Sequence, residues 1–327
     1  MDTKVVLDML FNVLVFPGVV FSCAMAFWFE WLERKITARV QRRIGPSFTG
    51  PRGLLQPFVD VLKLLLKEEM QIEEAEILFF RLAPILAVTI PTYGMLFIPI
   101  TGLRTMFNFE GDIFVVLFLF SLSVFMTALA GYAIFSPYTV IGVGRLIVQY
   151  SIYESLMALS LSLVAFQANT LSINGVLKYQ GKHGPLILYQ PLGFIVAILA
   201  LLAKLEKPPF DLPQAKQEIV AGWLTEYSGR GLAFLKMYKD LSMVYGVSIV
   251  TTMYLAGPLG PLFNVLPSIL GFTYFGLKAL ATSILIILIS STAARVRVYG
   301  LAGRFWIRGI LLLLLQFIMT FYWRVVL

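Results

Sequence analysis

The feature that most constrains this chain is a series of long apolar runs separated by polar connections. A helix needs about 20 mostly apolar residues to cross a bilayer, and about eight runs approach that length. They cover approximately residues 6–30, 82–101, 112–134, 151–168, 186–203, 242–262, 267–291 and 309–326. Only 13% of the 327 residues are charged, whereas a soluble domain carries about a quarter charged residues. We therefore predict an all-α integral membrane protein with about eight transmembrane helices, forming a single domain over residues 1–327.

Lysine and arginine residues are concentrated in the connections that follow the odd-numbered runs. Cytoplasmic loops carry an excess of these residues, so we expect a multi-pass protein of a cell or organelle inner membrane with those connections in the cytoplasm. Both termini would then lie on the outer side. Two connections are long, about 31–81 and 204–241, and long loops usually serve a function. The net charge of +8 is explained by this distribution, so we expect no binding to nucleic acid.

Side chains that bind metals are scarce in this sequence. The chain has one cysteine, Cys23, within an apolar run, and one histidine, His183, in a polar connection. A lone cysteine cannot by itself hold an iron–sulfur cluster or a zinc ion. We therefore predict no metal site and no catalytic residue in this chain, and we expect any electron carrier to belong to a partner chain.

The first long connection contains a short amphipathic segment. Apolar residues recur there with helical spacing: Leu54, Phe58, Val61, Leu62, Leu65 and Leu66. Charged residues such as Asp60 and Lys63 occupy the other face. This pattern predicts an amphipathic helix lying at the membrane interface after the first span. From the residues alone, lipid anchoring by nearby basic side chains is favoured over a binding site.

The fourth and seventh apolar runs each contain one charged residue, Glu154 at the start of the fourth run and Lys278 in the middle of the seventh. A charge at mid-membrane costs about 3 kcal/mol on insertion scales and usually faces a bundle interior or a water-filled path. Glu154 is explained nearly as well as a helix-start carboxylate that interacts with the helix dipole. Lys278 is too deep to reach the interface easily, so a functional role is favoured there.

Four segments resemble one known family. The segment ERKITARVQRRIGPSFTGPRGLLQPFVDVLKLLLKEE closely resembles the first cytoplasmic loop of one membrane component of respiratory complex I, known as the H subunit in bacteria and as subunit 1 in mitochondria. The segment containing PFDLPQAKQEIVAGWLTEYSG resembles the fifth loop of that family. RLIVQYSIYES and FGLKALATSILIILISSTAARVR resemble its buried-glutamate segment and its seventh span. Close relatives occur in energy-converting membrane-bound hydrogenases and related ferredoxin-driven complexes.

This resemblance implies a non-catalytic subunit of a redox-driven ion pump, located where the peripheral electron-transfer arm meets the membrane arm. It implies peripheral-arm iron–sulfur and hydrogenase-like subunits as partners, together with antiporter-like and small membrane subunits and lipid. Iron–sulfur clusters, and in hydrogenase-like complexes a Ni-Fe centre, would belong to those partners. A quinone would bind only in complexes that reduce one.

The resemblance also implies roles for individual residues. The residues that would line the redox chamber or dock the arm are Glu33, Arg34, Lys35, Arg39, Gln41, Arg43, Asp60, Lys63, Glu68, Arg145, Tyr227, Arg295 and Arg297. The residues that would relay protons or couple the reaction to transport are Glu154, Lys278, Asp211, Glu218, Glu226 and Asp240. Protons can pass along such a set when its members titrate near neutral pH, and burial shifts carboxylic acids in that direction.

The sequence departs from the quinone-reducing members at several loop positions. Gln214 and Lys216 stand where those members usually have glutamate. Lys239 falls near another such position, and Tyr299 stands where an aspartate commonly follows the arginine pair. Because lysine reverses the charge of glutamate, the local proton path of those members cannot be copied onto this chain.

These departures favour a hydrogenase-like or ferredoxin-driven complex without quinone. The first alternative is the quinone-chamber subunit of an NADH:quinone oxidoreductase. An alternative of another class is a stand-alone secondary transporter. Such transporters often contain paired halves with matching broken helices, and this sequence has no internal repeat of that kind, so the transporter is disfavoured.

Overall fold

The computed structural model describes residues 3–70, 75–103, 105–261, 266–297 and 300–326, and Tyr299 lies outside them. The regular structure of these residues is helical. The α-helices are α1 (Thr3–Leu14), α2 (Val19–Val40), α3 (Gln56–Leu66), α4 (Ile77–Gly94), α5 (Asp112–Tyr132), α6 (Pro137–Ala168), α7 (Ile173–His183), α8 (Pro191–Lys204), α9 (Lys216–Ile219), α10 (Gly229–Tyr254), α11 (Pro267–Thr292) and α12 (Ile307–Val326). A π-helical segment, Leu301–Trp306, leads into α12.

The predicted class is confirmed, and the protein is an all-α integral membrane protein. Within the described ranges, six helical segments are long and apolar enough to cross a membrane: Met9–Val40, Ile77–Phe97, Asp112–Tyr132, Pro137–Ala168, Pro267–Thr292 and Gly303–Arg324. α8 is apolar but has only 14 residues, and α10 coincides with the remaining predicted run. α3 is the predicted amphipathic helix, with Val61 buried while Phe58 and Leu62 remain exposed.

Arg145 precedes the fourth apolar run, and the run bounds therefore place it in a connection. This placement is wrong, because α6 begins well before its apolar run and contains Arg145. Pro137 occupies the first turn, and a capping box joins Ser136 to Thr139. Both features suit a helix start, where backbone N–H groups have no partner within the helix. Glu154 therefore lies near the middle of a 32-residue helix, and the interpretation of it as a helix-start carboxylate is wrong.

α10 also begins earlier than its predicted span, at Gly229 instead of near residue 242. Its first half carries Lys236, Lys239 and Asp240, and these charges had marked it as part of the long connection. Every residue from 241 to 254 is buried, and the helix packs against α2, α3, α4 and α11. α10 is therefore a central helix whose second half is shielded from lipid by its neighbours.

The connection between α6 and α8 contains a helix, α7, which has a buried apolar face. Gln180 of this helix donates hydrogen bonds of 3.1 Å to the carbonyl oxygens of Thr252 and Met253. Carbonyl groups at a helix C-terminus have no partner within the helix. α7 therefore caps the far end of α10.

α6 and the long connection after α8 approach each other closely at Gly142. A methyl group there would lie 2.7 Å from the backbone nitrogen of Trp223 and 2.9 Å from the backbone of Gly222. We expect Gly142→Ala to displace the connection and to lower the free energy of unfolding by about 1–3 kcal/mol, the usual cost of overpacking. Thermal unfolding in detergent, with limited proteolysis of the connection, measures this effect.

Gly144 provides a matched control on the same helix. Nothing lies within 4 Å of a methyl group added at that position. Gly144→Ala is expected to be neutral or stabilising, because alanine favours a helix over glycine by about 1 kcal/mol. Equal destabilisation by both variants would contradict the close-contact explanation.

Candidate functional site

The long connections meet at one end of the bundle, which we call the loop end. The backbone N–H of Val296 donates a 3.0 Å hydrogen bond to the carbonyl oxygen of Pro209. The backbone N–H of Met70 donates a 2.9 Å hydrogen bond to the hydroxyl oxygen of Ser228. These bonds join the connection after α8 to the segment after α11 and to the segment after α3, so distant parts of the chain form one surface.

Arg34 and Asp60, both predicted chamber or docking residues, form an ion pair between α2 and α3. The distance from Arg34 Nη1 to Asp60 Oδ2 is 2.5 Å, and the same guanidinium binds Glu30 one turn earlier. Gln56 donates a 2.7 Å hydrogen bond to the other oxygen of Asp60. These contacts hold the amphipathic helix against the end of α2.

Lys207 brings the connection after α8 to the same place. Its ammonium group donates a hydrogen bond to the carboxylate of Glu33. Asp240 of α10 lies among Glu30, Glu33 and Lys207. We call Glu30, Glu33, Asp60 and Asp240 the carboxylate cluster. Among the described residues, Arg34 and Lys207 form ion pairs with its members, and Lys239 interacts with Asp240, so four carboxylates face three cations and the cluster has excess negative charge when every member is ionised.

Two further ion pairs join the long connection to the segment after α11 and to α6. Asp211 accepts hydrogen bonds from two nitrogens of Arg295, with Nε at 2.6 Å, and this hydrogen bonding raises the pKa of the Arg295 guanidinium. Arg145 Nη1 lies 2.5 Å from Glu218 Oε2. The Glu218 side chain is 52% exposed, and ion pairs open to solvent contribute little stability. Asp211 and Glu218 thus lie at the edge of the loop end.

Glu206, just after α8, is a buried carboxylate that is not among the residues predicted from the sequence. Its side chain is 4% exposed and accepts hydrogen bonds from Gln214 Nε2 at 2.5 Å and from Trp223 Nε1 at 3.1 Å. Lys239 Nζ lies 3.6 Å away. Burial raises the pKa of the Glu206 carboxyl, an effect partly offset by Lys239 and by the indole N–H of Trp223. Two of the departures from the quinone-reducing pattern, Gln214 and Lys239, therefore bind the same carboxylate.

A buried lysine, Lys204, and a half-buried glutamate, Glu154, lie deeper in the bundle, on either side of two serines of α5. Lys204 Nζ donates a 2.7 Å hydrogen bond to Ser123 Oγ and another to the carbonyl oxygen of Phe120. The hydroxyl of Ser121 donates to Glu154. An isolated buried charge costs several kcal/mol, so these polar contacts stabilise both side chains within the membrane-embedded part of the protein.

Several buried oxygens on α6 and α10 have no protein hydrogen-bond partner among the described residues. They are Gln149 Oε1, Tyr153 OH, Glu154 Oε2 and Ser242 Oγ. Buried polar atoms usually have a partner, either in the protein or in ordered water. Glu154 therefore lies in a region where several buried oxygens need hydrogen-bond partners that the described residues do not supply.

The structure does not bring Lys278 to these groups. Its ammonium group donates hydrogen bonds to the carbonyl oxygens of Gly257, at 3.0 Å, and Leu259, at 2.5 Å. Both carbonyls belong to the turn after α10, whereas the loop end lies at the start of that helix. Lys278 thus stabilises the far turn, and its coupling role stays a prediction.

Tyr227 and Glu226 follow each other in the chain but have different surroundings. The phenol of Tyr227 donates a 3.0 Å hydrogen bond to the carbonyl oxygen of Ala130, and its ring stacks on Phe80 with 4.7 Å between centroids. Burial raises the pKa of this phenol. Tyr227 therefore holds the connection against α4 and α5. Glu226 is half-buried and makes no ion pair within the described part of the chain.

The remaining predicted docking residues lie at or near the surface of the loop end. They are Lys35, Arg39, Gln41, Arg43, Lys63 and Glu68. Arg43 donates a 2.9 Å hydrogen bond to the side chain of Gln41. Arg297 is placed elsewhere and lines a cavity beside α8 and α12. The surface set is accessible to a partner protein, whereas Arg297 belongs to a different part of the loop end.

The positions of the buried Lys204 and the half-buried Lys207 were not predicted from the sequence. Both residues directly follow an apolar run, so the sequence assigns them to the long connection 204–241. α8 is apolar on all sides, a pattern typical of a buried helix. That pattern is the signal that could have placed Lys204 inside the bundle. No comparable signal marks Glu206, whose burial depends on how the connection folds back.

Comparisons with known proteins agree along nearly the whole chain. The family model described as NADH dehydrogenase matches residues 12–321. The H subunit of the NADH-quinone oxidoreductase from Thermomicrobium roseum is 34% identical over 297 residues, which cover 85% of this chain and 85% of the relative. A chain of the membrane-bound sulfane sulfur reductase, an archaeal respiratory membrane complex, has a similar fold, with a TM-score of 0.82 and 24% identity. That similarity covers 92% of this chain and 96% of the other.

Proposed function

Because the chain belongs to the NADH dehydrogenase family, we propose that it is the membrane-arm coupling subunit of a complex I-like redox-driven ion pump. The observation that carries this proposal is the succession of charged groups leading inward from the loop end. The carboxylate cluster comes first, Glu206 with Lys239 follows, and Lys204 and Glu154 lie within the bundle. In this role the chain docks the electron-transfer arm and relays the free energy of its reaction to proton or sodium transport.

Interaction between buried charges is the physical basis of the relay. Two unit charges 4 Å apart interact by about 1 kcal/mol in bulk water and by about 4 kcal/mol at the lower effective dielectric of a protein. Lys204 interacts with both Glu154 and Glu206. A change of charge at the loop end therefore changes the electrostatic energy of Glu206. Because Lys204 interacts with Glu206 and with Glu154, the same change alters the balance between the protonated and ionised forms of Glu154.

The branch that we favour is a hydrogenase-like or ferredoxin-driven complex in which no quinone binds. Its support is the altered charge at the loop end. Gln214 and Lys239 stand at or near positions where quinone-reducing members usually have glutamate, and both bind Glu206. Since the two replacements share this partner, they form a consistent set and not a series of unrelated losses.

The second candidate is the quinone-chamber subunit of an NADH:quinone oxidoreductase. Its support is the 34% identity to the H subunit of such an enzyme. In that case a quinone would approach the carboxylate cluster beside α3. The ion pair between Arg34 and Asp60 would then form part of the chamber wall.

The partners and the orientation follow from the same proposal. Peripheral-arm iron–sulfur and hydrogenase-like subunits would bind the surface residues of the loop end, and antiporter-like and small membrane subunits would pack with lipid around the bundle. The abundance of lysine and arginine at the loop end supports a cytoplasmic position for it. Both termini would then lie on the outer side of the membrane.

The experiment that tests the proposal is isolation of the intact complex in mild detergent. Reduction of a quinone analogue is compared with hydrogen evolution and with reduction of another soluble acceptor, each driven by reduced ferredoxin or NADH. We expect turnover that does not depend on quinone. Inhibitor-sensitive quinone reduction would support the second candidate instead. Recovery of the chain alone as an active transporter would contradict both candidates.

A further inference from the structure

A cavity of about 860 Å³ lies between α8 and the segment that leads into α12. This volume falls within the range of about 300–1,000 Å³ that is usual for ligand sites. Three of its lining residues are arginines, Arg297, Arg304 and Arg308. The apolar part of the lining comes mainly from Val196, Leu199, Phe210, Phe305 and Leu312. The cavity therefore combines a strongly cationic part with a hydrophobic part.

None of the three arginines forms an ion pair with a described carboxylate. Asp211 lies at the same end of the bundle, but its carboxylate is already bound by Arg295. All three arginines are exposed, and charges of one sign that line a cleft together create a positive potential that attracts anions. The cavity is therefore electrostatically complementary to an anionic ligand.

The backbone around the cavity also suits a ligand site. Arg304 lies in the π-helical segment and Arg308 in the first turn of α12, and π-helical turns occur frequently at functional sites. Gly300 and Gly309 also line the cavity, and Gly309 lets α12 pack closely against Leu156 of α6. Guanidinium groups bind phosphate oxygens through paired hydrogen bonds, which a single ammonium group cannot reproduce.

We propose that this cavity binds an anionic phospholipid, with its phosphate among the three arginines and its acyl chains against the apolar lining. The apolar lining favours a lipid over a free anion, which would gain nothing from contact with Leu199 and Leu312. The outer face of α12 also favours it, because Leu311, Leu314 and Leu315 are each more than half exposed in a membrane protein. The carboxylate cluster takes no part in this site.

The test uses the intact complex after removal of its native lipid. Native mass spectrometry compares the binding of dioleoylphosphatidylglycerol with that of dioleoylphosphatidylcholine, which has no net charge. We expect the first lipid to bind in preference. Arg304→Gln and Arg308→Gln should each weaken its binding by about tenfold, because each removes a charged hydrogen bond. Arg81→Gln and Arg230→Gln, which remove exposed arginines outside the cavity, should leave it unchanged.

A second variant addresses the hydrophobic half of the cavity and keeps every arginine. Leu312→Trp fills the apolar lining and should also weaken phosphatidylglycerol binding, with the subunit composition of the complex as the check on assembly. The proposal would be overturned by equal binding of the two lipids, or by binding that survives both arginine substitutions. Displacement of the lipid by millimolar inorganic phosphate alone would overturn it too, because the site would then be one for a soluble anion.

Discussion

Glu154→Gln is expected to reduce redox-driven ion uptake into proteoliposomes about 100-fold or more, the usual effect of removing a group that transfers protons. One oxygen of Glu154 accepts a hydrogen bond from Ser121, and the other is buried without a protein partner among the described residues. A carboxyl group in this position can take up and release a proton. The amide of glutamine has nearly the same shape but cannot do so.

The measurement is ion uptake per electron transferred by the reconstituted complex, with the subunit composition of the purified complex as the check on assembly. Glu110→Gln is the matched control, because Glu110 is exposed and does not belong to the charged groups that lead inward from the loop end. Glu154→Asp keeps the acid and should retain part of the uptake. Wild-type uptake in Glu154→Gln would remove Glu154 from the relay.

Lys239→Met is expected to lower the free energy of unfolding by about 3 kcal/mol, because removing one partner leaves a buried charge without its counter-ion. The unpaired group is Glu206, whose side chain is 4% exposed. Trp223 and Gln214 would still donate hydrogen bonds to it, but neither carries a positive charge. Lys204 interacts with it from a greater distance, without an ion-pair contact. Denaturation in detergent, followed by far-ultraviolet circular dichroism of the helices, is a suitable measurement.

This destabilisation should depend on pH. Burial raises the pKa of Glu206, and Lys239 opposes that rise, so the variant should have a still higher pKa at this carboxyl. Between the unfolded and the folded pKa, the folded protein binds more protons than the unfolded chain, and stability falls as pH rises. The defect of Lys239→Met should therefore be largest at alkaline pH and smallest in acid.

The double variant Lys239→Met/Glu206→Gln distinguishes lost charge pairing from lost packing. Glutamine at 206 is neutral and can still accept a hydrogen bond from Trp223, so we expect most of the stability to return. A double variant as unstable as Lys239→Met would show that the packing of the Lys239 side chain is what matters, and the ion-pair explanation would be wrong.

The sequence predicted the spans where their apolar residues are continuous, and it failed where a helix runs into polar sequence. α6 starts at Pro137 and α10 starts at Gly229. The half of α10 nearer the loop end is charged, and the corresponding half of α6 contains Gly142, Gly144, Arg145 and Gln149, which interrupt its apolar residues. A search for continuous apolar runs therefore misses the beginning of both helices.

The candidate site was predictable as a set of residues but not as a set of contacts. Arg34 and Asp60 were both named from the resemblance, but their pairing depends on how α3 folds back against α2. The place of Glu206 in the site could not be predicted for a related reason. Its partners Gln214 and Lys239 come close to it only when the connection is folded. Family resemblance identifies which positions belong to the site. The effect of a departure from the family pattern can be explained only when the structure shows which side chains the substituted residue contacts.

The shielding of α10 has a consequence for how the chain enters the membrane during synthesis. Among the described residues, α10 is absent from the segments that qualify as spans by length and composition, and its first half carries four charged residues. The insertion machinery selects segments by hydrophobicity, so this helix is poorly suited to enter the bilayer alone. α2, α4 and α8 are made before it and supply the surfaces that bury it. The helices that precede α10 in the chain thus act as an internal scaffold, and we expect α10 to insert into the bilayer by packing against them.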